Sequence, residues 1–171
     1  MARTLRDLLH AMDAVCDCAD PVVDEIEALV AADPAGSRRH ILAHPGSPLT
    51  RLWALGLTAD PADLDELTAT ALQPPTPTGD GGGDQDQRAD AGDRALRHTA
   101  LVALGNQPDR ARVDAVARSL LTDPDPGIRA AAAGIVGFLA RPGAADALRP
   151  LAADPDPGVR TQVTWRLRRL A

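Results

Sequence analysis

The chain has 171 residues, a formal charge of −6 and 44% apolar residues, among them one Phe, two Trp and no Tyr. That is one domain's length, with enough apolar surface for a core made of small aliphatic side chains, as closely packed helices require. Two cysteines are too few for a disulfide framework, and no apolar stretch reaches the roughly 20 residues of a membrane span.

Every basic side chain is Arg, and the charge is unevenly spread. Residues 1–90 hold 6 Arg against 16 Asp plus Glu, whereas residues 91–171 hold 12 Arg against 8 Asp. An acidic front half and a basic back half point to a polar partner surface. The opening run MARTLRDLLHAMDAV interleaves charges with its apolar residues, so it does not read as a secretory signal. A cytoplasmic protein with no membrane association is the expectation.

In chain order, residues 3–18 read as a leading helix, and Asp20-Pro21 opens a second one that runs to about Ala32. Together they form a helical cap over about 1–46. Ser47-Pro48 starts the helix that carries Trp53 and closes at Gly56, and Asp60-Pro61 starts the next. Residues 73–90 (QPPTPTGDGGGDQDQRAD) predict a disordered loop, because Pro, Gly and Asp bury too little apolar surface to order themselves. The run LRHTALVALG then ends at Gly105. A helix follows from Pro108 or Asp109 to about Thr122, another ends at Gly137, and a further one runs from Pro142 to about Ala153. The last helix follows Pro157.

The turn Asp123-Pro-Asp-Pro-Gly-Ile-Arg129 returns 31 residues later as Asp154-Pro-Asp-Pro-Gly-Val-Arg160. Recurrence at that interval marks a solenoid in which each unit is a helical hairpin. Gly56 and Gly105 lie 49 residues apart, which is one 31-residue repeat plus the 18-residue insertion 73–90. The insertion therefore interrupts a hairpin within a single domain spanning 1–171. Apolar residues at offsets 0, 4, 7 and 8 of each second helix fall on one stripe. They are Leu96, Ala100, Ala103 and Leu104, then Ile128, Ala132, Ile135 and Val136, then Val159, Val163 and Leu167, with Arg166 breaking the last.

The DPDPGIR and DPDPGVR turns, with their apolar-Arg-x-x-Ala-type runs, resemble HEAT-like repeats, in particular the short bacterial type of phycobilin lyase subunits. The resemblance implies an all-α, right-handed α-solenoid whose second helices line the concave side. It also implies an Asp–Arg ladder between adjacent repeats, carried here by Asp123, Arg129, Asp154 and Arg160. An alternative use of the Arg residues is a stripe of Arg97, Arg129 and Arg160 for an anionic ligand.

Trp53 and Trp165 occupy the same slot of the repeat, filled by Val102 and Gly134 in the units between. The slot points about 240° around the helix from the start of the stripe, away from the core. His98, Ala130 and Thr161 lie nearby at offset two. The expectation is a concave groove with Ala130 and Gly134 as its floor and a Trp toward each end. Its binding residues would be Trp53, His98, Val102, Ala130, Gly134, Thr161 and Trp165. The competing expectation is that each Trp covers an edge or packs under a neighbouring helix.

No acid, base or nucleophile set converges, so no catalytic residue, cofactor or metal is assigned. Cys16 and Cys18 with His40 and His44 have poor spacing for zinc. Asp80, Asp84 and Asp86 lack the order of a calcium loop. Arg166, Arg168 and Arg169 either complement a helix dipole or offer a patch to an acidic partner. The function expected is a non-enzymatic scaffold holding a protein or peptide partner. The alternatives are a lyase-type subunit handling a tetrapyrrole and a nucleic-acid-processing protein, the latter disfavoured by the acidic total charge.

Overall fold

The computed structural model describes residues 3–14, 21–74 and 84–171. Among them the chain forms ten α-helices and no strand. These are α1 (Leu5–Ala14), α2 (Pro21–Ala32), α3 (Pro34–Leu42), α4 (Pro48–Thr58), α5 (Leu64–Ala71), α6 (Asp84–Leu104), α7 (Arg110–Ser119), α8 (Pro126–Leu139), α9 (Ala144–Leu148) and α10 (Pro157–Leu170). Short 3-10 turns precede α5 and follow α7 and α9.

The repeated punctuation is an acid or Ser followed by Pro. Asp33, Ser47, Asp125 and Asp156 each accept backbone N–H groups at a helix start, with Pro in the first turn where its missing donor costs nothing. Asp60 does the same for the 3-10 turn Pro61–Asp63. Asp125 Oδ1 takes the N–H of Gly127 at 2.7 Å and of Ile128 at 3.1 Å; Asp156 Oδ1 repeats this with Gly158 and Val159 at 2.8 and 3.1 Å. Helices α4 and α8 both exit through a left-handed alanine, Ala59 and Ala140, three residues past Gly56 and Gly137 respectively.

Consecutive helices pack as hairpins, α1 with α2, α3 with α4, α5 with α6, α7 with α8 and α9 with α10. The second members then stack in a row, α2 on α4, α4 on α6, α6 on α8 and α8 on α10. This is an all-α helical repeat fold. Two apolar clusters run through it. One gathers Leu8, Leu9, Ile26, Val30, Ile41, Ala54 and Leu55 from α1 to α4. The other extends from Leu52 through α10. Helix α4 contributes to both, so it joins the two clusters. Most of the predicted stripe is buried: Ala100, Leu104, Ile128, Ala132, Val136, Val159 and Val163 are all within about 1% of full burial and Ala103 is 3% exposed, whereas Leu96, Ile135 and Leu167 are only partly buried at its margin.

Two boundaries differ from the sequence reading. Residues 34–42 form a separate helix, α3, which the expected cap did not resolve; Asp33-Pro34 carries the same start signal as the other helices. Of the expected loop over 73–90, residues 84–90 belong to α6. Residues 75–83 of that segment lie outside the described residues, as do Cys16 and Cys18.

Candidate interaction surface

The two DPDPG turns divide labour between their aspartates. The second Asp caps the following helix. The first, Asp123 or Asp154, folds back to accept the N–H of Asp125 or Asp156 at 2.9 Å, and turns its carboxylate toward the preceding second helix. There Arg129 grips Asp154 through Nε and Nη2, both at 2.8 Å, while its Nη1 donates to the carbonyls of Asp123 and Pro124 at 2.8 and 3.0 Å. Arg97 pairs with Asp123 in the same sense, with both side chains nearly fully buried. Both Arg residues reach forward to the next repeat, and Arg129 is also fixed to its own turn, which suits the planar fork of guanidinium. Arg160 makes the backward contacts too, donating to the carbonyls of Asp154 and Pro155 at 2.7 and 2.8 Å. A further pair between successive hairpins joins Arg38 on α3 to buried Asp63 ahead of α5, with Nε and Nη2 contacts of 3.0 and 2.6 Å. It falls outside the repeated turns and carries no motif, so the sequence did not point to it.

Stacking of the second helices depends on a small residue at a constant position. A Cβ placed on Gly56 would lie 2.7 Å from Cα and Cβ of Ala103 on α6, and one on Gly137 would lie 2.7 Å from Cβ of Arg166 on α10. Between them, Gly105 faces Ile135 of α8, 3.6 Å from its Cγ1. Each glycine therefore meets the residue two places before the next repeat's equivalent position.

The predicted groove is not assembled as expected. Gly134 is buried with Gln162 against it, and Ala130 is half-buried in the core of the stack. Neither can be the floor of an open groove, because their side of α8 receives α10. Trp53 is half-buried against the α1–α4 cluster. His98 is exposed and lines a cleft of about 310 Å³ with Leu49, Thr99 and Ile128. Val102 and Trp165 are each 47% exposed, and Thr161 shares a cleft of about 440 Å³ with Trp165. Phe138, which the sequence reading did not assign to any site, is 64% exposed at the end of α8. The guanidinium carbons of Arg166 and Arg169 lie 4.5 and 4.8 Å from the Trp165 ring centre, within cation–π range.

The family model for HEAT repeats matches residues 87–168, just under half the chain and the span from α6 through α10. Residues 87–168 of this chain are HEAT-like repeats. No curated protein matches it. In this HEAT-like stack the matched span holds both DPDPG turns and both forward-reaching Arg–Asp pairs.

Ahead of the matched span, His44 Nε2 lies 2.9 Å from Asp13 Oδ2, and the His10 ring meets His44 edge-on at 4.9 Å. His40 is exposed on α3. Among the described residues no group of three or more His, Cys, Asp or Glu could hold a metal ion. No described helix is long and apolar enough to cross a membrane.

Two carboxylates in these arrangements ionise more readily than usual. The hydrogen bond from Arg129 outweighs desolvation at Asp154 and holds its pKa below the ordinary value, with the Asp156 N–H adding to the effect. At Asp13 burial acts to raise the pKa, but hydrogen bonds from Thr50, His44 and the Ser47 N–H together outweigh it and leave the value lowered. A folded-state pKa below the unfolded value of about 3.9 stabilises the fold above that pH. The contribution disappears as pH falls through the lowered folded value. The thermal midpoint is therefore expected to stay nearly level from pH 7 to about 5 and to fall below about pH 4, with Asp13→Asn making the decline shallower. Scanning calorimetry across that range checks it; a midpoint already falling between about pH 7 and 5.5 contradicts the assignment.

Proposed function

We propose that the protein is a non-enzymatic interaction module that binds a protein partner along its row of second helices. The supporting observation is that three successive second helices each expose one large apolar side chain: Val102 on α6, Phe138 on α8 and Trp165 on α10. Isolated exposed apolar residues are ordinary, but one on each of three stacked helices, with an aromatic ring flanked by Arg, has the make-up of an interface anchor. HEAT repeats in general mediate protein–protein contacts, which agrees with this reading.

Cross-linking from a photoreactive residue at position 102 or 138, followed by affinity measurement with the partner so identified, tests the proposal. The triple variant Val102→Ser, Phe138→Ser, Trp165→Ser is expected to weaken that partner at least about 100-fold, given roughly 1 kcal/mol or more per lost anchor. Its melting temperature should change little, because all three side chains are exposed. Unaltered affinity would place the interface elsewhere.

A further inference from the structure

The cleft on α10 is lined by Pro157, Arg160, Thr161, Thr164, Trp165 and Arg168. Shifted back by the 31-residue repeat, these positions are Pro126, Arg129, Ala130, Ala133, Gly134 and Gly137 on α8. That side of α8 is the one covered by the next repeat: Arg129 holds Asp154, and Gly134 and Gly137 lie beneath Gln162 and Arg166. The α10 cleft is therefore the repeat counterpart of the covered side of α8.

Arg160 is the counterpart of Arg129 in this cleft. Its Nη1 is anchored on the Asp154 and Pro155 carbonyls as Arg129's is on those of Asp123 and Pro124. In Arg129 this anchoring leaves the Nε–Nη2 edge free to take a carboxylate in two hydrogen bonds. Among the described residues, no carboxylate pairs with Arg160. The guanidinium is oriented and its fork is open. The surroundings favour an anion: α10 carries Arg160, Arg166, Arg168 and Arg169 and no acidic residue. Crowding by burial and by Arg169 already lowers the pKa of Arg166, so added negative charge relieves repulsion there.

We infer that Arg160 is an open rung that binds an aspartate carboxylate presented by an acidic segment of a partner protein, with Trp165 packing against the apolar residues beside that aspartate. A second copy of this chain is a poorer fit. Close stacking on α8 uses Ala130, Ala133, Gly134 and Gly137, whereas Thr161, Thr164, Trp165 and Arg168 fill those places on α10 and hold another helix away. A short extended or turn-forming segment can seat its carboxylate without such an approach. The inference rests on the protein-binding reading and assigns the chemistry of one part of that surface.

The probe is a fluorescein-labelled peptide copying residues 151–159, LAADPDPGV, the turn that fills the Arg129 rung in this chain. Fluorescence anisotropy with the full chain should give saturable binding with a dissociation constant below about 1 mM. Changing the peptide's first Asp to Asn should weaken it about tenfold, as should Arg160→Gln in the protein, with Arg160→Lys intermediate because Lys lacks the two-point fork. The Asn peptide leaves the protein unaltered, so the comparison stands even if Arg160→Gln disturbs folding. No binding at about 1 mM, equal binding of the Asp and Asn peptides, or displacement by an oligothymidylate at lower concentration than by unlabelled peptide would overturn the inference. Concentration-dependent dimerisation abolished by Arg160→Gln would overturn it in favour of a second copy. If the partner found by cross-linking binds Arg160→Gln unchanged while the peptide arms fail, this inference falls and the broader proposal survives.

Discussion

Replacing Arg97 by Met is expected to lower stability by about 3 kcal/mol, the usual scale for removing one member of a buried ion pair. Arg97 is 4% exposed and Asp123 9%, so the carboxylate left behind has little access to water. Asp123 still accepts the Asp125 N–H, but one neutral donor does not replace a guanidinium. In a chain of this length the loss corresponds to a melting-temperature decrease on the order of 9 °C. A second change, Asp123→Asn, keeps an acceptor for the Asp125 N–H while removing the charge. The double variant should therefore recover a large part of the loss. Denaturant titration of the four proteins in the cycle gives the coupling directly. If Arg97→Met unfolds at the wild-type midpoint, the pair does not hold adjacent repeats together. Arg129→Met should also destabilise, but less, since Arg129 is the more exposed of the two.

The other large effect is expected at Gly56. Helix interiors ordinarily gain from replacing Gly, by about 1 kcal/mol for Ala. At Gly56 the added Cβ would meet both Cα and Cβ of buried Ala103 at 2.7 Å, and a backbone carbon cannot step aside as a side-chain tip can. Gly56→Val should therefore destabilise by about 3 kcal/mol, the upper end of ordinary overpacking. Adding Ala103→Gly removes only the Cβ part of the clash and should restore a minority of the loss. Gly92 on α6 supplies the opposite sign: a Cβ there meets nothing within 4 Å, so Gly92→Ala should stabilise by about 0.5–1 kcal/mol. Thermal melts of these variants settle both signs; a neutral Gly56→Val would mean that α4 and α6 pack less closely than described.

Much of the architecture was legible because it is repeated. The 31-residue recurrence, the Asp-Pro helix starts and the buried stripe each follow from local chemistry that a sequence displays openly. Helix α3 carried the same Asp33-Pro34 signal but lies ahead of the recognisable repeats, where no second copy helped to set its limits. The binding face was harder to read, for a geometric reason. A helical wheel separates the core side of one helix from everything else. In a stack, each second helix has a neighbour before it and another after it, as well as its hairpin partner. The slot of Trp53, Val102, Gly134 and Trp165 points away from the stripe, yet on α8 that direction leads to α10. A glycine in the slot signals that a neighbour lies close against the helix, here the Gln162 side chain, a clue that the wheel angle does not contain. Trp165 remains exposed on α10 and Trp53 does not, although the two share a register position.

The two left-handed alanines at the exits of α4 and α8 have a consequence for how the protein tolerates change. Ala59 and Ala140 sit at φ 49°, a conformation in which the methyl group crowds the backbone and which glycine adopts without that penalty. Natural selection has thus left headroom at two joints that lie outside both the Arg–Asp pairs and the exposed apolar row. A designer seeking a sturdier scaffold could work there without redrawing the surface that meets a partner.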